Sequence, residues 1–250
     1  MYALRLECRH EDKDLLAAEL WERGTAGIIE EDLPKGRCCL RAFFETPFEM
    51  AGGSWEWDEP KDWVEESHAQ WKPLLIGRRF FLVPAWQDDP TPPGRLRLEF
   101  QTGMACGTGW HPATQLALEA MEQHVEPGAT VLDVGTGSGI LSLAAGLLGA
   151  GRVFACDIDA SAVAVAAQRC RQASFFVGSA RSVRPASIDV LVANINAEVL
   201  IQLAREIARV LKPGGRAILS GFPVRRLERV QAAFRPQEVL TKEEWAALVC

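Results

Sequence analysis

Residues 131–139 read V-L-D-V-G-T-G-S-G, and residues 152–159 read R-V-F-A-C-D-I-D. The first stretch is an apolar run that ends on Asp133. It enters a loop in which Gly135, Gly137 and Gly139 let backbone N–H groups approach a ligand, and a helix starts at Ser138 to Ile140. That layout is the first half of a βαβ unit in a doubly wound α/β sheet. The second stretch is another apolar run, ending on Asp157, and an acidic residue about 20 positions beyond such a loop supplies acceptors for ribose hydroxyls. A βα turn that needs glycine only for close packing accounts for the three glycines but not for their pairing with Asp133 and Asp157.

Glycine spacing narrows the nucleotide. A dinucleotide site reads G-x-G-x-x-G, because a pyrophosphate has to sit on the helix N-terminus. Here the third glycine comes one residue early and Ile140 stands in its place, which argues against NAD and FAD. The loop D-V-G-T-G-S-G resembles motif I of the class I S-adenosylmethionine methyltransferases. The resemblance implies a ligand without phosphate, whose methionine part lies over the glycine turn.

The chain has 250 residues and a net charge of −6. This length suits one large domain with a smaller companion. No run reaches the roughly 18 apolar residues of a membrane span, and the charged, alternating start M-Y-A-L-R-L-E-C-R-H-E-D does not read as a signal peptide. A cytoplasmic protein without a membrane partner is expected. The seven cysteines are an odd number without C-x-x-C spacing, and the four histidines lack ligand spacing, so neither a disulfide framework nor a metal is expected. Residues 1–100 hold 13 Lys/Arg against 20 Asp/Glu, and residues 101–250 hold 14 against 13. The front is acidic. That is either a solvated surface or an attractor of a basic protein, and no basic stripe recommends nucleic acid.

Along the chain, residues 2–8 alternate as a strand, and Glu11 to Arg23 places Leu15, Leu16, Leu20 and Trp21 at helical spacing. Ile28 to Glu31 and Cys38 to Phe44 read as further strands. This βαββ pattern is similar to a shortened ferredoxin-like α+β domain over 1–52. A break is expected at Gly52-Gly53, a linker over 53–78 with a short helix closed by Pro73, and the main domain over 79–250. In that domain strands alternate with helices, the signature of a parallel sheet covered on both faces. The end, E-V-L-T-K-E-E-W-A-A-L-V-C, offers two strands without an intervening helix, hence an antiparallel terminal hairpin of the kind that distinguishes the class I methyltransferase fold from a plain Rossmann domain.

Two further stretches carry chemistry: G-M-A-C-G-T-G-W-H-P-A-T-Q (103–115), a polar glycine-rich loop running into a helix, and N-I-N-A-E-V-L (194–200), beyond a strand end where open α/β sheets bind ligands. Together with V-L-D-V-G-T-G-S-G-I-L, C-D-I-D and the terminal K-E-E-W they resemble the PrmA family, bacterial methyltransferases of large-subunit ribosomal protein eleven. The resemblance is close over residues 60–250 and looser in front. It implies S-adenosylmethionine as cofactor, trimethylation of lysine ε-amines and an N-terminal α-amine, and a front domain that grips the ribosomal protein. It also implies cofactor contacts at Thr114, Gly135, Asp157 and Asn194. Asn194 is in addition expected to position the acceptor amine, and Asp133, Gly137 and Gly139 complete the expected cofactor set, with Asp133 as an anion near the methionine ammonium. Trp110 is a candidate wall for a methylated cation.

Two departures stand out: Cys106 occupies the place where the family loop carries Phe, and the front domain lacks a second helix. A nucleophilic Cys106 would need an activating base, and sequence places none beside it. The alternatives that the residues leave open are a methyltransferase of another protein or of a small amine, and an inactive cofactor-binding or ribosome-binding module. Asn194 is followed by Ile195 and Asn196 rather than by Pro-Pro and an aromatic, which speaks against a stacked nucleobase as acceptor.

Overall fold

The structure, a computed structural model, describes residues 2–34, 36–57, 71–101 and 109–250. The chain divides into two compact units, Met1–Trp71 and Lys72–Cys250.

In the first unit, β1 (Tyr2–Arg9) is followed by α1 (Lys13–Glu22), β2 (Gly27–Leu33), β3 (Arg37–Phe44) and β4 (Gly53–Trp57). Alternating apolar side chains give the sheet one buried face, where Leu4, Leu40, Ala42 and Phe44 pack with Leu20 of α1. Trp21, expected on the packed side of the helix, is instead 56% exposed. The sheet is antiparallel throughout, in the order β2-β3-β1-β4, so the chain has to cross from β3 past β1 to reach β4. In a split βαβ arrangement a helix makes that crossing. Here residues 45–52 make it as an irregular segment. Phe48 and Met50 lie against the core cluster, the Phe48 carbonyl accepts from the Trp55 indole at 2.8 Å, and Phe44, Phe48 and Trp55 meet edge to face.

The expected break at Gly52-Gly53 therefore falls inside this unit. Gly53–Trp57 pairs with β1 from Leu6↔Gly53 to Tyr2↔Trp57, because the apolar Trp55 has a core to join. The far end of the expected linker is likewise ordered. Leu74–Ile76 forms β5, which pairs with β6 (Phe80–Pro84), and β6 runs parallel to β7 (Leu96–Phe100). The helix expected in the linker lies outside the described residues.

The second unit continues with α2 (Pro112–His124), β8 (Thr130–Val134), α3 (Ile140–Leu147), β9 (Arg152–Asp157), α4 (Ala160–Arg169), β10 (Ala173–Val177), β11 (Ile188–Asn194), α5 (Ala197–Val210), β12 (Leu211–Pro223), α6 (Leu227–Phe234), β13 (Glu238–Lys242) and β14 (Trp245–Val249). The sheet order is β10-β9-β8-β11-β12-β14-β13. The pairs from β10 to β12 are parallel, and the terminal hairpin is antiparallel. This is the expected class I fold. The last strand inserts beside β12 and leaves β13 at the edge. β8 and β11 are apolar runs because both faces of a parallel sheet are covered, and Val131, Leu132, Leu191, Val192 and Ala193 are fully buried. α5 covers one face through Leu200, Leu203, Ile207 and Val210, at the spacing of a helical stripe. Successive strands are added on opposite sides of β8, so the order reverses between β8 and β11. A crevice opens there at the strands' carboxyl ends.

Candidate functional site

The crevice at the switch point is a cleft of about 700 Å³. The glycine turn forms its floor. Gly135, Gly137 and Gly139 all have left-handed φ, at +74°, +52° and +81°, a region that favours glycine. At Gly135 the need is double, because a Cβ there would also collide with the Ile195 side chain. The turn is tied down by Gly135 and Thr136 N–H groups, which donate to the Cys156 carbonyl at 2.8 and 3.0 Å.

Asp157, at the end of β9, lines the cleft. Its Oδ2 accepts from Gly137 N–H at 3.0 Å and its Oδ1 from Asp159 N–H at 3.1 Å. Both oxygens are thereby fixed in position and keep lone pairs for a ligand. Thr114 and Asn194 also line the cleft. Their side chains meet across a separation of 80 residues, with Asn194 Nδ2 donating to Thr114 Oγ1 at 2.9 Å. Thr114 rides on the first turn of α2, which the His111 side chain caps by accepting from Ala113 N–H at 3.2 Å. Asn194 ends β11, and its neighbour Asn196 caps α5, Oδ1 accepting from Val199 N–H at 2.9 Å. One N–H of Nδ2 is given to Thr114, which fixes the amide with Oδ1 as its acceptor toward a ligand.

Asp133 differs from its expected placement. It does not line the cleft but lies fully buried beneath the turn, where its Oδ2 accepts from the hydroxyls of Thr136 and Ser142, each at 2.7 Å. Its Oδ1 has no hydrogen-bond partner among the described residues. Burial pushes this carboxyl up to about 6, against the opposing pull of the Ser142 and Thr136 hydrogen bonds. Its reach is to the glycine turn. Gly139 is also set back from the cleft, as N-cap of α3 with Ala166 close behind it.

Trp110 is not among the described residues that line the cleft, where the His111 imidazole is the only ring. Cys106 lies outside the described residues, as does most of the loop 103–109. Among the described thiols, burial pushes Cys156 up to about 12 and Cys250 to about 11. Groups of three or more His, Cys, Asp or Glu able to hold a metal are absent among the described residues.

Sequence reasoning missed Ile158, His111 and Ser179 as lining residues. Ile158 is 83% exposed although apolar, and an apolar residue directly after the acid that ends the second strand was the available signal. His111 stood in plain view as the residue before Pro112, a helix-start signature. Nothing in sequence marked Ser179.

The arrangement offers an apolar wall, a fixed carboxylate, a glycine turn and an amide acceptor around one cavity, which fits a nucleoside joined to an amino acid. The family model described as "Ribosomal protein L11 methyltransferase (PrmA)" matches residues 43–250. A ribosomal protein L11 methyltransferase of Cupriavidus necator is 42% identical over 198 residues, which are 76% of this chain and 65% of the relative. One of Burkholderia mallei is 40% identical over 195 residues, 77% of this chain and 65% of the relative. The match thus spans just under two thirds of these relatives' length. Among solved structures, a ribosomal protein L11 methylase of Lactobacillus delbrueckii subsp. bulgaricus superposes with a TM-score of 0.66 at 29% identity, covering 72% of this chain and 97% of that one. On this extent of match the chain belongs to the PrmA family of ribosomal protein L11 methyltransferases.

Proposed function

We propose that this protein transfers the methyl group of S-adenosylmethionine to amines of ribosomal protein L11, lysine ε-amines and the N-terminal α-amine, in successive steps up to the trimethyl state. The observation that carries the reading is the convergence of Gly135, Asp157, Thr114 and Asn194 on one cleft from four separate elements. Family membership supports it.

When bound, S-adenosylmethionine supplies an electrophilic methyl group on a cationic sulfur. Asp157 accepts hydrogen bonds from the ribose diol, its two oxygens already aimed by Gly137 and Asp159. Ile158, exposed in the same cleft, would offer the base an apolar cover, and the turn at Gly135 would leave the amino-acid part room against backbone. Asn194 Oδ1 would accept from the acceptor amine and so orient it, with Thr114 holding the amide in place. Orientation at near-attack distance is what the protein contributes. The nitrogen has to be neutral to attack. A lysine amine has an unperturbed pKa of about 10.4, and removal from water lowers it, so its proton leaves to solvent before transfer. The acceptor is a protein rather than a nucleic acid, since Asn194 is followed by Ile195 and Asn196 instead of a base-stacking motif.

The test is incubation with labelled S-adenosylmethionine and ribosomal protein L11 from cells lacking the enzyme, followed by mass mapping. Incorporation at lysine and N-terminal amines is expected. No incorporation, or tight NAD binding with silent S-adenosylmethionine in calorimetry, overturns the reading.

A further inference from the structure

A second cleft of about 300 Å³ adjoins the first and shares Asn196 with it. Its other walls come from Gly221 of β12 and Arg225 beyond it, Glu198 of α5, and Glu244 and Trp245 of the terminal hairpin. The backbone is shaped to open it. The pairing of β12 with β14 shifts register between Leu219 and Phe222, and bulges of this sort gather beside active sites, where they re-aim side chains. Gly221, in the shift, has φ +91°, and a Cβ there would lie 2.6 Å from the Ile195 nitrogen and oxygen. β12 therefore backs directly onto the segment that carries Asn194.

The hairpin turn contributes a second irregularity, because Glu243 holds a left-handed φ of +54° without being glycine. Such strain persists where surrounding contacts over-determine it. Here the Val224 N–H donates to the Glu244 carbonyl at 2.7 Å, Lys242 Nζ bonds Glu119 of α2 at 2.9 Å, and the Trp245 ring meets the His111 ring edge to face at 4.3 Å. These contacts brace the partition between the clefts, with His111 on its inner side. Glu198 is engaged by Arg226 and Arg229 at 3.7 and 3.8 Å. Glu244 and Arg225 are exposed and form no ion pair among the described residues.

We propose that this second cleft is the acceptor subsite, which grips the polypeptide flanking the amine to be methylated, with Glu244 and Arg225 as its specificity-determining contacts. The inference rests on the first cleft being the cofactor site. Gly135 and Asp157 line the first cleft alone and Asn196 lines both, so with the first cleft committed to cofactor the amine reaches Asn194 past Asn196, from the second. A carboxylate and a guanidinium that line one cleft and form no ion pair among the described residues suit a peptide, whose N–H groups or lysine side chains donate to Glu244 and whose carbonyls accept from Arg225. Ground-state grip of this kind acts on KM rather than kcat.

The experiment supplies the full-length enzyme with labelled S-adenosylmethionine and the unmethylated proteins of cells lacking it, then measures kcat and KM on the protein that becomes labelled. Glu244→Gln and Arg225→Gln should each raise KM about tenfold, the scale of one charge-assisted hydrogen bond, with kcat and cofactor affinity unchanged. Glu244→Asp should restore most of the loss. Unchanged KM in both Gln variants, or a fall in kcat alone, overturns the subsite. If the labelled protein is not L11, the proposed substrate falls while the variants still test the cleft. If the wild type binds cofactor but labels nothing, substrate and subsite fall together.

Discussion

Asp157 and Asp133 are both carboxylates beside one glycine turn, yet their surroundings give them different work. Asp157 sits in the cleft with each oxygen braced by a backbone N–H. Its replacement by Ala should weaken S-adenosylmethionine binding by about 1.5–3 kcal/mol, the usual scale for a charge-assisted hydrogen bond. Calorimetry on the variant checks this, and an unchanged affinity removes the ribose role. Asp133 is sealed beneath the turn, and burial raises its carboxyl to about 6. A carboxyl raised on folding contributes stability that is complete below its unfolded pKa near 4 and is lost as pH climbs through 6. Between pH 4 and pH 7 the wild type should therefore lose on the order of 3 kcal/mol relative to Asp133→Asn, whose amide oxygen still accepts from Thr136 and Ser142. Denaturant unfolding of the two proteins across that range measures it, and parallel pH profiles would exclude a raised carboxyl at Asp133.

At the scale of elements, the site depends on how closely the ends of β11 and β12 approach. Ser220 Oγ donates to the Ala113 carbonyl at 2.7 Å, and the Ile195 N–H donates to the Ser220 carbonyl at 3.1 Å. β12 thereby links the start of α2, which carries Thr114, to the end of β11, which carries Asn194. Gly221 is the position that allows this. Gly221→Ala should cost about 1–2 kcal/mol, since alanine is strained at positive φ, and its Cβ would press on the Asn194–Ile195 backbone. Thermal unfolding reads the first effect and single-turnover methyl transfer the second. A variant with lower stability but a wild-type single-turnover rate would show that the approach serves folding alone.

At the scale of the molecule, docking of the intact acceptor protein is expected to need the first unit, Met1–Trp71, while the cofactor cleft and the acceptor subsite lie in Lys72–Cys250. Every cleft residue named above belongs to the second unit. Removal of residues 1–71 should leave S-adenosylmethionine affinity within about twofold of the parent, because binding energy remote from the reacting centre acts on the acceptor. Methylation of intact L11 should be abolished. The cut belongs at 71 rather than at 52, since a cut at 52 leaves β4 without its partner β1. Residues 1–71 carry 17 Asp/Glu against 8 Lys/Arg, so association of the full chain with a basic substrate should also slow as salt rises, with screening over about 10 Å at 0.1 M. A truncated enzyme that methylates L11 at the parent rate would place recognition wholly in the second unit.

The sequence by itself determined most of the second unit's architecture from β8 onward, because its central strands β8 and β11 are apolar runs, α5 carries a helical stripe, and the glycine turn is a local requirement for positive φ. Periodicity and turn chemistry are properties of neighbours along the chain. Gly135 and Asp157 were legible in the glycine turn and the acid that follows it, Asn194 in its place at a strand end, and Thr114 through the resemblance to the PrmA family. Only the tertiary structure decided that Thr114 and Asn194 touch, that Asp133 faces the turn from beneath instead of the cleft, and that Ile158 and His111 line it, since none of these follows from local spacing. The reach of the first unit past Gly52 was equally hidden. A glycine pair ahead of a strand looks like a boundary until β1 is found to need a partner on its open edge, and that pairing is a contact between segments some fifty residues apart.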